Sequence, residues 1–549
     1  MVRLLAVLVL AGASVNAQLT SGDFSYSTNN SNWITLTGYT GSGGSVVIPE
    51  TISGMPVRSI GASAFANKVS VTSISLPTNL VTISDSAFFN TRIFSVVVPT
   101  NVTSIGASAF SNCANLNSVS LPESLNNIGE SAFWGTPIIS ITIPSQIKTL
   151  KASTFYNCNQ LQSVSLPSGL QAIEGSVFGQ CSNLNQISLP GSLRSIGDAA
   201  FYNCRISILS IPEGITSLPK DVFAQCTALT SVSLPSTLVS IGHGAFYNTR
   251  ITSIQIPQGV TSIGTDAFAQ CISLASVTLP TTILSIGNGA FYSTTLTAII
   301  IPAGVSSIGN DAFSNCTSLT SVSLPNGLLS IGSGAFWNCR FSSITIPGTV
   351  SMIGQNAFGS NPVLQNVNLG SGIVGIGNGA FWGSNIQNIS MPASILSIGN
   401  DAFGSSPSLS LITFQGNAPS LGSNVFSGST NVSIRYTPGT SGWGATYGGR
   451  STSAQFQDSD VDGFSDQAEI EYGSNPYNSA SKPTNSVSLA IVDEFRFPSQ
   501  ANAQYSIQAS PDMLSWSNVQ TGIQGDGSVK AYQEYRGQSP KRFFRSLKN

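Results

Sequence analysis

Acidic residues at fixed spacing near the C-terminus are typical of a calcium-binding loop. The segment 458–469 has the pattern Asp-x-Asp-x-Asp-Gly-x-x-Asp-x-x-Glu. Calcium binds about six to eight oxygen atoms, which carboxylates and one backbone carbonyl at this spacing can supply. The predicted ligands are Asp458, Asp460, Asp462, the carbonyl oxygen of Phe464, Asp466 and Glu469. The sequence therefore predicts one structural Ca²⁺, and a solvated acidic turn is the alternative.

Groups that could carry catalysis are scarce in this chain. His243 is the only histidine and lies in a Gly-rich turn, so Ser-His and Cys-His nucleophile pairs have at most one candidate base. Only 8% of the residues are charged and the formal net charge is −2, which leaves no basic field for nucleic acid or an anionic membrane. The sequence therefore predicts a non-enzymatic protein that does not bind nucleic acid.

Most of the chain is a repeat of 22 or 23 residues, marked by a Leu/Ile-Pro step and an Ala-Phe pair. The phenylalanines in phase are Phe65, Phe88, Phe110, Phe133, Phe155, Phe178, Phe201, Phe223, Phe246, Phe268, Phe291, Phe313, Phe336, Phe358, Phe381, Phe403 and Phe426. A fixed period of this length is typical of a solenoid, in which each unit buries its apolar side chains against the next.

One unit, residues 116–133, shows how a coil is built. Ser118 to Leu121 alternates polar and apolar residues, which predicts a short strand. Pro122 ends this strand because proline has no N–H to donate. The Leu and Ile that follow turn inward on a second side of the coil, and Phe133 fills its centre. Stacked coils then form a continuous core with one parallel strand each.

The pattern Leu-x-x-Leu/Val-x-Leu followed by Ala-Phe resembles the BspA-like leucine-rich repeats of bacterial and protozoan surface proteins. Matching segments include 105–113, Ile-Gly-Ala-Ser-Ala-Phe-Ser-Asn-Cys, and 231–235, Ser-Val-Ser-Leu-Pro. The resemblance implies a curved solenoid used in adhesion or surface recognition. The expected fold class is an α/β-type repeat solenoid of about 17 coils, with little regular helix and one short parallel strand per coil, followed by a small C-terminal all-β domain.

The segments outside the repeat predict an exported protein. The predicted organisation is a signal peptide over 1–17, an N-terminal cap over 18–48, the solenoid over 49–427, a C-terminal cap over 428–456, a calcium-binding linker over 457–483 and a small β-domain over 484–549. Arg3, the apolar stretch after it and a small-residue cleavage site before Gln18 indicate the signal peptide. No later segment approaches the about 20 apolar residues of a membrane span.

Two further resemblances concern the C-terminal part. The acidic loop together with Gly473–Pro476 resembles the thrombospondin type 3-like calcium-binding linkers of exported bacterial proteins, which implies a calcium ion that stiffens the joint between rod and tail. The last segment resembles a small β-module common at the C-termini of such proteins. A secreted or cell-surface location is therefore expected.

All eight cysteines occupy one position, three residues after the repeat phenylalanine. They are Cys113, Cys158, Cys181, Cys204, Cys226, Cys271, Cys316 and Cys339. Other repeats carry mainly Thr or Ser there, so we interpret it as a small-residue position in the coil interior. Stacked coils place equivalent residues ~4.8 Å apart, which by distance alone permits pairing of neighbours. We expect buried thiols, and disulfides between adjacent coils are the alternative.

The shorter repeats carry a second aromatic residue directly after the phenylalanine. The candidate ligand-binding residues at this position are Trp134, Tyr202, Tyr247, Tyr292, Trp337 and Trp382. Such a stripe is suited to stacking on sugars or peptides. Alternatively, these side chains cover apolar surface that the shortened turn exposes.

The outward positions of the predicted strands carry mainly Ser, Thr, Asn and Gln. They form a neutral face, which we expect to be the concave face of a curved solenoid. We therefore predict a secreted or cell-surface, non-catalytic binding or adhesion protein, whose neutral face meets an extracellular protein or glycan. A structural spacer or extracellular matrix component without a specific ligand is the alternative. The sequence leaves the oligomeric state open.

Overall fold

The structure is a computed structural model that describes residues 19–28, 31–454, 478, 480, 491–498, 501–510, 517–526, 528–536 and 543–548. The chain divides into two compact units. The first comprises Met1–Arg435 and Thr440–Thr452, and the second comprises Tyr436–Gly439 and Ser453–Asn549. The sequence predicts little regular helix, and the described residues contain only strands and turns. None of their segments forms a helix long and apolar enough to cross a membrane.

The first unit is a stack of about 18 coils, most of which contribute two short strands. We call the strand before the repeat proline the first strand. These are Gly44–Val47, Val71–Ser75, Ser95–Val97, Ser118–Ser120, Ser140–Thr142, Ser163–Ser165, Gln186–Ile187, Ile208–Ser210, Ser231–Ser233, Ser253–Gln255, Ser276–Thr278, Ala298–Ile300, Ser321–Ser323, Ser343–Ile346, Asn366–Leu369, Asn388–Met391, Leu411–Phe414 and Ser433–Tyr436.

The strand after the proline is the second strand of the coil. These are Met55–Ile60, Thr82–Ile83, Ser104–Ile105, Asn127–Ile128, Thr149–Leu150, Ala172–Ile173, Ser195–Ile196, Ser217–Leu218, Ser240–Ile241, Ser262–Ile263, Ser285–Ile286, Ser307–Ile308, Ser330–Ile331, Met352–Ile353, Gly375–Ile376, Ser397–Ile398 and Ser420–Leu421. The expectation of one strand per coil is therefore wrong. Two residues are too few to show an alternation of polar and apolar residues, so only the stacking of coils reveals these strands.

Neighbouring coils pair in parallel and in register. Ser140 lies opposite Ser163, which lies opposite Gln186. From Ser217–Leu218 to Ser420–Leu421 the second strands form one continuous sheet of ten. Because equivalent residues are aligned, each position of the repeat becomes a row along the stack.

The repeat phenylalanines form such a row through the core. Their rings are 0% exposed in most coils, and successive centroids lie 5.1 Å apart at Phe65 and Phe88 and 5.7 Å apart at Phe155 and Phe178. Tyr39 continues the row beyond Phe65 at 5.2 Å. The predicted central position of the phenylalanine is confirmed, and offset stacking adds to the gain from burying each ring.

Two residues of each coil adopt a left-handed conformation around this phenylalanine. In the coil of Phe110 they are Ser108, with φ 52°, and Asn112, with φ 58°. The N–H groups of residues 108, 110 and 112 all point along the stack and donate to carbonyls of the next coil at 2.8, 2.8 and 2.7 Å. These hydrogen bonds offset the cost of a left-handed L-residue, about 1–2 kcal/mol.

Both ends of the first unit depart from the repeat. The segment predicted as the N-terminal cap contains Leu19–Ser21, antiparallel to Phe24–Thr28, and Ile34–Tyr39, which pairs in parallel with Met55–Ile60. Thr51–Ile52 also pairs with that strand. Near the other end, Thr446–Tyr447 pairs with Arg450–Ala454.

An aromatic cluster lies beside this last strand pair. The Trp443 ring centroid lies 4.9 Å from that of Phe414 and 5.0 Å from that of Tyr447. Since the repeat ends at Phe426, these rings bury apolar surface that a further coil would otherwise cover.

The described strands of the second unit are Ile491–Pro498, Gln504–Ser510, Ser517–Gln524, Val529–Arg536 and Phe543–Lys548. The described pairings among them are antiparallel. Ile491–Pro498 pairs with Val529–Arg536, and Gln504–Ser510 pairs with Ser517–Gln524 on one side and with Phe543–Lys548 on the other. This agrees in part with the predicted all-β C-terminal domain.

Candidate ligand-binding face

The outward side chains of the first strands form the candidate site. A strand alternates its side chains between two faces, so the apolar residues of Ser-Val-Ser and Ser-Ile-Thr point into the core and the hydroxyl residues point out. Ile141 and Val164 are accordingly buried, whereas Ser140 and Ser165 are exposed. We call this surface the hydroxyl face.

Three neighbouring hollows lie along the hydroxyl face. The first has a volume of about 760 Å³ and is lined by residues of three coils, among them Ser140, Ser163 and Gln186. A second of about 500 Å³ continues it between Ser188 and Ile208, and a third of about 600 Å³ lies between Ser233 and Gln255. The volumes fall within the range usual for ligand sites, although these hollows are shallow and their linings mix polar and apolar residues.

The polar groups of the first hollow are available to a ligand. Within the described residues, the hydroxyl groups of Ser140, Thr142, Ser163 and Ser165 form no hydrogen bond to another protein group. Its lining contains no charged side chain. Each hydroxyl can donate one hydrogen bond and accept others, so this surface suits an uncharged partner with regularly spaced polar groups.

Glu213 lines the second and third hollows but is held by the next coil. Its carboxylate accepts hydrogen bonds from the backbone N–H of Ser236 at 3.1 Å and from the Ser236 hydroxyl at 3.0 Å. These bonds lower the pKa of Glu213, which makes it a poor general acid. Glu50 and Glu123 bind the turn of the next coil in the same way.

Sequence reasoning missed both these carboxylates and the hollows. The sequence signal for these carboxylates is a Glu directly after the repeat proline, with Ser or Thr at the same position in the next coil. The hollows have no such signal, because their depth depends on how the turns after the prolines lean against one another.

The predicted aromatic residues lie in one row outside the core. Trp134, Tyr202, Tyr247, Tyr292 and Trp337 are half-buried, and Trp382 is 38% exposed. From Tyr202 onward the row occupies every second coil and alternates with small residues such as Ala224, Ala269 and Gly359, whereas Tyr202 lies three coils after Trp134. We call it the aromatic row.

Two of these rings lie over the glycine of the following coil. A Cβ atom on Gly359 would overlap the ring of Trp337, and one on Gly404 would lie 3.0 Å from Cδ1 of Trp382. The two indoles stack with centroids 5.9 Å apart and planes at 9°. The Tyr292 hydroxyl likewise accepts a hydrogen bond from the Asn315 side chain of the next coil at 3.1 Å. This geometry favours packing, and ligand binding by the row stays a prediction.

The eight cysteine thiols lie inside the coils. All eight cysteines are free and buried, which confirms the interior position expected from the sequence. Burial raises the pKa of Cys113, Cys158, Cys271 and Cys316 to about 11, so none is a thiolate near neutral pH.

His243 is exposed on its turn, as expected. The predicted calcium ligands Asp458, Asp460, Asp462, Phe464, Asp466 and Glu469, like the predicted signal peptide, lie outside the described residues. In the part that the structure describes, no three His, Cys, Asp or Glu side chains come together as a metal site would require.

Comparison with known families identifies the repeat region. The model of the BspA type leucine rich repeat region (six copies) matches residues 44–162, 148–261, 239–363 and 329–441. No curated protein matches the chain.

Three of the solved structures similar to the chain are bacterial proteins. A leucine-rich repeat protein from Bacteroides ovatus is 24% identical over 76% of this chain and 94% of its own, with a TM-score of 0.45. A leucine rich cell surface protein from Faecalibacterium prausnitzii is 25% identical over 80% and 98%, with a TM-score of 0.33. The pneumococcal vaccine antigen PcpA is 17% identical over 80% and 99%, with a TM-score of 0.36.

Proposed function

Because the chain belongs to the BspA-type leucine-rich repeat family, we propose that it is a non-catalytic binding protein of the cell surface or the extracellular space. Its partner is an extracellular protein or glycan that lies along the hydroxyl face. This proposal rests on the first hollow, where the hydroxyl groups of Ser140, Thr142, Ser163 and Ser165 form no hydrogen bond within the described residues and the lining contains no charged side chain. A row of equivalent donors and acceptors one coil apart suits a partner that is itself extended and repetitive.

The proposal is tested by binding of the chain from residue 18 onward to arrays of polysaccharides and matrix proteins. Ser163→Arg places a long cation in the first hollow, and we expect it to reduce binding at least about tenfold by steric conflict and by desolvation of the charge. Ser217→Arg is the matched control, since Ser217 is exposed on a second strand. Equal effects of the two variants, or no saturable ligand in the array, would contradict the proposal.

We also propose that the segment 458–469 binds one structural calcium ion. The support is the spacing of Asp458, Asp460, Asp462 and Glu469 around the glycine that such a loop requires. Calorimetric titration of the chelator-treated chain should give one site. The double variant Asp462→Asn/Glu469→Gln should lose the heat signal while circular dichroism stays unchanged.

A further inference from the structure

A row of exposed apolar side chains lies just before the second strands of the later coils or, for Met352, at the start of one. Its members are Val239, Leu284, Leu329, Met352, Val374 and Leu396, which are 47%, 57%, 54%, 48%, 37% and 65% exposed. We call this set the apolar stripe. Such residues are usually scattered singly over a protein surface, and a continuous row of them is typical of an interface.

Four members of the stripe follow a two-coil period, Leu396 adds an apolar side chain in the coil directly after Val374, and Met352 lies one residue further along its coil. Val239, Leu284, Leu329 and Val374 occupy the same position in every second coil, and Thr261, Ser306 and Ser351 occupy it in the coils between. Backbone hydrogen bonds join the row, for example from the N–H of Leu284 to the Thr261 carbonyl at 2.9 Å. The apolar side chains of Val239, Leu284, Leu329 and Val374 therefore project about 9.6 Å apart, separated by small hydroxyl residues.

This surface also lacks charge. In the eight coils of the stripe, the four residues from the buried Leu, Ile or Val to the end of the second strand include no Asp, Glu, Lys or Arg. The same position carries Lys148 and Arg194 in earlier coils, so the repeat tolerates a cation there. Depletion of charge together with enrichment of apolar residues distinguishes the centre of a protein–protein interface.

We propose that the apolar stripe is the interface of a homodimer, formed with the stripe of a second copy of this chain. A two-fold interface brings the same patch of both subunits together. Two antiparallel stripes shifted by one coil place the apolar side chains of each copy over the Thr and Ser residues of the other. A second copy has the same two-coil spacing because it has the same sequence. Since neither surface carries a charged side chain, the two do not repel each other.

The test is sedimentation equilibrium of the chain from residue 18 onward between about 1 and 100 µM. We expect a particle of twice the monomer mass. Since no charge pair contributes, its dissociation constant should change less than about threefold between 0.05 M and 0.5 M NaCl. A monomer throughout the concentration range would overturn the proposal.

Substitutions localise the interface. Leu284→Lys/Leu329→Lys should weaken the dimer by about 100-fold, because each substitution buries an unpaired charge. Ile208→Lys/Ile300→Lys is the matched control, since these side chains are 70% and 74% exposed on the hydroxyl face, and it should leave the dimer intact. A dimer that survives the first pair, or dissociates equally with the second, would overturn the proposal.

A milder variant guards against a folding defect. Leu284→Ser/Leu329→Ser installs the residue that Ser306 and Ser351 already carry at this position, so the coil accommodates it. It should melt within a few degrees of the wild-type chain and still weaken the dimer at least about tenfold. The mass measurement needs no ligand, so its outcome is independent of the hydroxyl-face proposal.

Discussion

At the scale of single residues, the repeat places each side chain against its equivalents in the coils before and after it. Trp337 touches Gly359 of the next coil and Trp382 of the coil after that. Cys158 contacts Thr136 at 3.3 Å and donates to the Phe133 carbonyl at 3.1 Å. A substitution is therefore felt first in the neighbouring coil, which makes paired substitutions informative.

The contact between Trp337 and Gly359 predicts strong coupling. Gly359→Ala should lower the free energy of unfolding by about 1–3 kcal/mol, because the new Cβ overlaps the indole. The same substitution together with Trp337→Ala should cost little beyond Trp337→Ala alone. Chemical denaturation of the four proteins gives the coupling energy.

Gly191→Ala is the control for this cycle, since nothing lies within 4 Å of its added Cβ. If the two effects were additive, the packing interpretation of the aromatic row would be wrong. A loss of ligand binding by Trp337→Ala at unchanged stability would instead support recognition.

The buried thiols predict a loss of stability in alkali. Burial raises the pKa of Cys158 from 9.0 to about 11, so the unfolded chain loses this proton at lower pH than the folded chain. The associated stability is complete below about pH 9 and is lost as the pH rises toward about 11, by roughly 2 kcal/mol for this thiol.

Cys158→Thr separates this effect from the titration of Lys and Tyr. Threonine occupies the same position at Thr136 and Thr249 and does not ionise. Between pH 9 and pH 11, the unfolding free energy of the wild type should fall relative to that of the variant. Parallel pH profiles would show that Cys158 ionises equally in both states.

At the scale of the coil, the structural unit from Tyr202 onward is a pair of coils. Aromatic residues of the row alternate with small ones, and Val239, Leu284 and Leu329 of the stripe lie in the same coils as Tyr247, Tyr292 and Trp337. Asp221, Asp266 and Asp311 similarly alternate with Gly244, Gly289 and Gly334, whose absent Cβ atoms leave room for the preceding carboxylate.

Deletions should reveal this two-coil unit. Removal of residues 247–291 joins Phe246 to Tyr292 and keeps every alternation, so the shortened chain should remain folded and melt close to the wild type. Removal of 247–268 deletes one coil and places small residues of neighbouring coils beside each other. The free energy of unfolding of this variant should be about 1–3 kcal/mol lower than that of the two-coil deletion. Equal stability of the two deletions in denaturant titrations would argue for a one-coil unit.

At the scale of the whole molecule, the predicted calcium loop at 458–469 falls within the sequence range of the second unit and precedes its antiparallel strands in the sequence. A bound ion that requires several ligands from one short segment restrains the backbone of that segment.

Removal of calcium should therefore expose this segment to proteases. With chelator, limited proteolysis within 457–483 should accelerate at least about tenfold while the solenoid fragment persists. Asp462→Asn/Glu469→Gln should be cleaved rapidly with or without the ion. Cleavage at the same rate in both conditions for the wild-type chain would argue against a structural calcium ion.

The amino-acid sequence by itself determined the repeat, its period and the central place of each phenylalanine, because a strict period aligns equivalent residues in any stacked arrangement. It also located Cys158 and its equivalents in the interior through the small residues that replace them. The second strands, the hollows at Ser163 and Glu213, the contact of Trp337 with Gly359 and the exposed position of Leu284 were decided only by the tertiary structure. Each of them depends on the direction of a side chain relative to the next coil, and a linear pattern of residue types does not encode that direction.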